Sequence, residues 1–480
     1  MSLVWLLPAL PLGAACAAAI RPGAWIRWLT VTGTFGSLIL SIDVVRTVAS
    51  RGAFELLHGW FGLNALASLF LLLTATLAFT SAVFSLGYVR RLSDGDAAAE
   101  QRYYLNFNLF LASLLAVPMM LEVALTWVAV ELTTLLSIFL VGFENTREAL
   151  EAAWKYAVLT IMGATVAALG FFLLLWGLSQ AGGTEQTFDA LVHFAPAMAP
   201  GLRKLAFALI LVGFGAKVGL VPVHTWLPDA HSQAPTPVCA LLSGIEVSLI
   251  LYVIIRLLPV FTHIDGFPVF DWLIVVGLAS TGTAAFLLLQ VHDFKRLFAY
   301  STVEHMGILV TALGLGAEAG YGTVLHVMTH ALTKSLAFYA AGVVLLAVGT
   351  RDIASVRGLL RLNPVCGVAL LAAGLAIAGA PPFAVFISEF TLVRAGLLEG
   401  RYWAVGLLAF FIAVAFLGVM RHINRMVFGH PVEATSPHLP ASAVVTLVLA
   451  LAPVLFLGLY MPAPLTLILE SAAANLTGAP

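Results

Sequence analysis

Apolar runs recur along the whole chain, and each is about the 20 residues that a helix needs to cross a bilayer. Nothing else in the sequence restricts the fold as strongly. Of 480 residues, 61% are hydrophobic and 10% charged, whereas a soluble domain carries about 25% charged residues. A transmembrane β-barrel would show short alternating segments rather than continuous runs. The expected fold class is therefore an all-α polytopic membrane protein. A net charge of −1 offers no basic footprint for nucleic acid.

About fourteen spans can be drawn, numbered here in chain order. They cover 2–20, 26–48, 62–89, 105–121, 123–143, 154–178, 204–223, 235–258, 269–290, 299–317, 320–347, 364–398, 402–427 and 440–462. The twelfth is too long for one straight helix and contains Ala380-Pro381-Pro382, so it reads as two half-helices. The seventh breaks at Pro222, 159 residues before Pro381 in the break of the twelfth. The N-terminus is apolar from Leu3, with no basic residue before Arg21, so the first run reads as a retained span. Odd-numbered loops carry about twice as many Lys and Arg as even-numbered loops, which puts the odd loops in the cytoplasm and both termini outside.

The two broken spans fall in matching places. Spans four to eight and nine to thirteen each hold five helices, with the break in the fourth. Five is odd, so the second set enters the membrane with opposite polarity, the pattern of an inverted repeat. The expected organisation is 1–104 for spans one to three, 105–258 and 259–427 for the two repeats, and 428–480 for the last span.

Ionisable side chains inside these runs are costly, by ~2.5–3.5 kcal/mol for a lysine on insertion scales. Lys217 lies just before the break in the seventh span, Glu131 in the fifth and Glu246 in the eighth. Glu304 and His305 open the tenth, and Glu389 lies in the second half of the twelfth. His326, His330 and Lys334 recur every four residues in the eleventh, close to one helix face. A broken helix at membrane depth must line protein or a water-filled cavity. Together these residues outline a polar axis for proton transfer. Opening and closing a carboxylate–lysine pair would change both proton affinities. Moving a proton against 100 mV costs ~2.3 kcal/mol, and a change of about two pKa units supplies ~2.7 kcal/mol. The competing reading is a set of satisfied structural pairs. His224, Asp229 and His231 follow the first break, as a cap on the half-helix or as a proton access path. Asp43, late in the second span, reads as interfacial.

The loops hold no GxxxxGKS phosphate loop and no GxGxxG turn, and they are too short for an enzyme domain. Cys16, Cys239 and Cys366 lack metal-site spacing and are too few for an iron–sulfur cluster. His326 and His330 could ligate a metal, but from one face they cannot clamp a haem. No cofactor or metal is expected, and any redox chemistry belongs to partner subunits.

Several motifs are familiar. His224-Thr-Trp-Leu-Pro-Asp-Ala-His-Ser-Gln-Ala-Pro-Thr-Pro237 with Ala240-Leu-Leu-Ser-Gly244 resembles the signature of proton-conducting antiporter-like membrane subunits. These occur in complex I, Mrp-type cation/proton antiporters and membrane-bound hydrogenases. Asp293 to Gly307, Thr329 to Ser335 and Ala380 to Phe390 resemble the same family, closest to its hydrogenase-4 component F branch. The resemblance implies fourteen helices with two inverted five-helix repeats. It implies that Glu131 pairs with Lys217, that His305, His326 and His330 form a central relay, and that Lys334 and Glu389 continue it. One departure stands out. Where complex I subunits carry an eighth-helix lysine, this chain has Ser248, with Glu246 two residues earlier. Either Glu246 takes over, or water bridges the gap, or conduction is poor.

The expected function is a proton-translocating, non-redox membrane subunit of a hydrogenase-4-like or complex I-like oxidoreductase. A Mrp-type antiporter subunit and a passive membrane anchor are the alternatives. Expected partners are other membrane subunits, soluble redox subunits, protons (or sodium) and the lipid bilayer, in a bacterial or archaeal cytoplasmic membrane.

Overall fold

The computed structural model describes residues 2–56, 59–262, 264–431 and 438–477. Among these, eleven helices are long and apolar enough to span a bilayer. The three other expected spans are helical too, and their residues explain why they fall short. The fourth, Ala97–Ala116, begins with a polar turn containing Glu100, Gln101 and Arg102. The seventh begins as Pro200–Val218 and carries Arg203, Lys204 and Lys217. The twelfth is split into Pro364–Ile377 and Ala384–Leu398. After its own break the seventh resumes as Trp226–Gln233. Both breaks therefore lie where the prolines put them.

Helix starts follow local chemistry. Asn64, Asp96, Thr146 and Asn363 each cap a helix by accepting a backbone N–H, and Asp293 accepts two. Several elements have no counterpart in the sequence reading, among them the single-turn helix Leu359–Leu362. A short hairpin pairs β1, Phe54–Leu56, with β2, Phe61–Leu63. A short helix, Phe188–Phe194, lies in the sixth loop. A C-terminal helix, Ala463–Thr477, follows the fourteenth span and buries Ile468, Leu469 and Ala472.

Loop contacts respect the parity of the span count. Even-numbered loops meet one another: Leu121 N–H donates to the Trp60 carbonyl (2.9 Å), Val123 N–H to Gln186 (2.9 Å), and Arg401 pairs with Asp271 (2.7 Å). Odd-numbered loops do the same: Phe294 N–H donates to the Arg351 carbonyl (3.1 Å), and Gly358 N–H to Phe428 (3.1 Å). Two rims at opposite ends of the bundle require an odd number of crossings between loops of unlike parity. The seventh and twelfth chains thus cross completely despite their breaks.

The eighth, tenth and eleventh spans are enclosed by the rest. The second, sixth, thirteenth and fourteenth present Trp28, Trp154, Phe172, Leu417 and Val448 outward, as lipid-facing helices do. Asp43 is exposed on the second span. Small residues allow close backbone approach: a Cβ on Gly163 would lie 2.6 Å from the Gly213 carbonyl oxygen, joining spans six and seven. Gly277 and Gly307 make the same approach between spans nine and ten, at 2.7 Å.

Candidate functional site

The first cluster forms at the break in the seventh span. Lys217 is the penultimate residue of its half-helix, where the helix dipole favours a cation. Gly219, left-handed at φ 87°, ends the helix. Trp226 Nε1–H donates back to the Ala216 carbonyl (2.7 Å), satisfying an acceptor that the break exposes. Lys217 is 1% exposed and its Nζ lies 2.7 Å from Glu131 Oε2. The Glu131 side chain is 14% exposed, so the pair sits at the edge of the buried interior.

Glu246 joins this cluster from the eighth span. The helix there contains a π turn, Leu242–Glu246, in which Val247 N–H reaches back to the Leu242 carbonyl. Such turns re-aim side chains and recur at functional sites. Glu246 Oε1 accepts from Tyr156 Oη–H (3.0 Å) and Thr133 Oγ1–H (3.2 Å). It lies within electrostatic reach of Lys217 and Glu131. Ser248 instead bonds the Gly244 carbonyl of its own helix (3.2 Å).

The second cluster gathers on spans ten, eleven and twelve. His305 Nδ1 is 3.0 Å from His326 Nε2, and His305 Nε2 is 3.1 Å from the Ile377 carbonyl. Ile377 ends the first half of the twelfth span, so the break frees that carbonyl. His326 Nδ1 is 2.9 Å from Ser388 Oγ, whose hydroxyl also contacts Thr329 Oγ1 (2.9 Å). These partners assign the tautomers of the neutral rings. A carbonyl only accepts, so His305 carries its proton on Nε2. His305 Nδ1 then accepts from His326 Nε2–H, and His326 Nδ1 faces the Ser388 hydroxyl, whose one proton is shared between it and the Val385 carbonyl (2.8 Å). His330 likewise donates from Nε2 to the Ser243 carbonyl (3.1 Å), inside the π turn. Its buried Nδ1 has no partner among the described residues.

Lys334 Nζ donates to Ser301 Oγ (2.5 Å) and the Phe298 carbonyl (3.0 Å). Glu304, one turn beyond Ser301, lies within electrostatic reach of both Lys334 and Glu389. All three are buried. The Ser243 carbonyl and the Ser243–Thr302 contact (2.6 Å) connect the π turn to this cluster.

The eight expected transfer residues thus fall into two adjoining groups: Glu131, Lys217 and Glu246, then His305, His326, His330, Lys334 and Glu389. The three access candidates separate. Asp229 is bound at the odd-loop rim by Lys155 (3.1 Å) and by a short contact with Arg296. His224 is half-buried. His231 is fully buried beside Trp226 and Phe338 (ring centroids 6.2 and 5.7 Å), and neither ring nitrogen has a partner among the described residues. Sequence reading left out Tyr156, Thr133, Ser301 and Ser388, and it put Glu304 on the polar axis without giving it a step of its own. Glu304 and Ser388 had one available signal, adjacency to His305 and Glu389. The others carried none, because hydroxyl residues are common in membrane helices.

Residues 120–417 match the family described as NADH:quinone oxidoreductase/Mrp antiporter, TM. The chain is 35% identical over 423 residues to a hydrogenase-4 component F homolog of Methylacidiphilum infernorum, covering 85% of this chain and 86% of that one. It is 30% identical over 400 residues to hydrogenase-4 component B of Escherichia coli, covering 80% of this chain and 58% of that one. Among solved structures, a chain of an archaeal membrane-bound sulfane sulfur reductase matches with a TM-score of 0.90 at 27% identity, over 99% of this chain and 98% of that chain. A chain of the Mrp complex from Dietzia shares the fold, with a TM-score of 0.86 at 20% identity over 99% and 98%. With a family match across more than half its length and a relative this similar, the chain belongs to the NADH:quinone oxidoreductase/Mrp antiporter transmembrane family.

Proposed function

We propose that this chain is the proton-translocating subunit of a hydrogenase-4-like or complex I-like membrane oxidoreductase. The observation that carries the reading is the bonded series Ser388–His326–His305, set in the enclosed centre of the bundle with Lys334 and Glu389 beside it. Imidazoles joined nitrogen to nitrogen can pass a proton by exchanging donor and acceptor roles. A proton reaching His326 at Nδ1 releases the one on Nε2 toward His305.

The Glu131–Lys217 pair acts as the switch. Closed, each charge holds the other. Open, each becomes an isolated buried charge and relaxes by losing or gaining a proton. Glu246, held by Tyr156 and Thr133, takes the place of the family's eighth-helix lysine and hands protons to the histidines past the π turn. The residue pattern supports two inverted units, 105–258 and 259–427, each contributing one cluster and one break. The loop charges support a cytoplasmic odd-loop rim and external termini. Redox partners would drive the switch, and the membrane partners would be the neighbouring subunits of such an assembly.

A Mrp-type cation/proton antiporter subunit is the second reading, favoured by the Mrp complex among the structural matches. Proton uptake by inverted vesicles containing the assembled complex tests the proposal. His326→Ala is expected to abolish electron-transfer-driven uptake while assembly persists; undiminished uptake would reject the relay. Uptake that requires sodium on the opposite side would favour the antiporter.

A further inference from the structure

We propose that Glu304 is the counter-charge of Lys334 and holds a single proton jointly with Glu389, so that the three side chains form a second switch. The inference rests on the relay reading above and concerns a residue to which that reading gives no step.

Lys334 is fully buried, and both of its bonded partners, Ser301 Oγ and the Phe298 carbonyl, are uncharged. An ammonium sealed in this way needs an opposite charge close by. Glu304 stands one turn beyond Ser301, about 4.5 Å along the tenth span and on the same face. The charged groups within its electrostatic reach are Glu389 and Lys334. Bonded neighbours bring the two acids together. Glu304 is followed by His305, His305 bonds His326, His326 contacts Ser388, and Ser388 precedes Glu389. Glu304 and Glu389 are 4% and 8% exposed, so bulk water neutralises neither.

Counting charge fixes what the trio holds. The rings beside it, His305, His326 and His330, are neutral in the tautomers assigned above. The net charge is then set by one ammonium and two carboxyls. With both carboxyls ionised the trio carries −1, and with both protonated +1. One proton between them leaves it neutral, the only arrangement of a charged Lys334 that burial does not penalise. Like charges at close range require the same sharing.

The two inverted units of the relay reading give Glu304 the place of Glu131. Each lies in the second helix of its unit, eight residues past Val123 and ten past Phe294. The first unit sets Lys217 against that glutamate from its fourth helix. The second sets Glu389 there and brings its lysine from the eleventh span. A proton arriving from the histidines forms an O–H bond on the ionised carboxyl. Lys334 then lacks a counter-charge, and one N–H bond of its ammonium breaks. One proton enters the trio, one leaves, and nothing is oxidised or reduced.

Infrared difference spectroscopy of the assembled complex tests this, in the C=O stretch of protonated carboxyl groups. Glu304→Gln and Glu389→Gln are each expected to remove the same whole band, because the carboxyl that remains becomes the sole counter-charge of Lys334 and ionises. Lys334→Met is expected to double that band. Two separate bands, one lost in each Gln variant, would overturn the shared proton, as would no loss in either or an unchanged band in Lys334→Met. If a Gln variant fails to assemble, Glu304→Asp and Glu389→Asp carry the test: each should displace one common band, and displacement of two different bands would overturn the proposal. Proton uptake by Glu304→Gln should fall about a hundredfold or more, as for loss of a positioned proton-transfer group; a full rate would remove Glu304 from transport. His326→Ala is measured in parallel: undiminished uptake there rejects the relay while the band count stands, so the two failures are told apart.

Discussion

The Glu389 carboxylate occupies the space that any side chain at Gly379 would need. Gly379 is left-handed, at φ 70°, in the break of the twelfth span. The break therefore makes room for the acid one turn into the following half-helix. Gly379→Ala is expected to cost ~1–2 kcal/mol for the left-handed backbone alone and to push Glu389 away from Glu304. Thermal melting of the purified complex should fall by a few degrees, and proton uptake should fall further than melting does. A variant that melts early but transports normally would show that Gly379 serves the backbone only.

Lys217→Ala removes one partner of a buried ion pair. Breaking such a pair costs ~3–5 kcal/mol when the remaining charge is sealed in. Glu131 keeps partial exposure and can take up a proton, so the loss should lie at the low end of that range. Uptake should vanish while the complex still assembles. The double variant Glu131→Gln/Lys217→Met should recover stability without recovering transport, which separates a switch from a structural clasp.

Glu246→Gln keeps an acceptor oxygen for Tyr156 and Thr133 and removes the charge. If Glu246 replaces the missing lysine, uptake should drop at least about tenfold, equivalent to ~1.4 kcal/mol in the barrier, with melting unchanged. A full rate would leave the link between the clusters to water.

His231→Phe fits the aromatic surroundings of Trp226 and Phe338. A histidine buried without hydrogen bonds contributes little that phenylalanine lacks, so stability should hold or rise. Reduced uptake in a stable variant would mark His231 as a stepping stone between the odd-loop rim and Lys334. Asp229→Asn, by contrast, loosens a rim contact and should leave uptake near its normal level.

Much of the fold was readable because membrane spans obey one strong rule. Apolar runs of the right length are helices, and prolines placed both breaks within a few residues. The C-terminal helix escaped because Pro462 and Pro464 interrupt the run leading into it, and the hairpin because three-residue strands leave no periodicity. In the site, the charged residues announced themselves by the cost of burying them. Their hydroxyl and carbonyl partners did not, since neither is expensive or rare in a membrane helix. The π turn was hidden as well. On an ideal helix Glu246 is turned about 200° from Ser248, and the extra residue in the turn is what aims Glu246 at Tyr156.

The stitching of loops to loops has a consequence for movement. Backbone bonds and ion pairs fasten even loops to even and odd to odd, so each end of the bundle is girdled. A barrel hooped top and bottom resists swinging its staves. Transport in this protein must then proceed by small local displacements at mid-depth, where the two interrupted helices supply the slack, and the outer shell can stay still while ions pass.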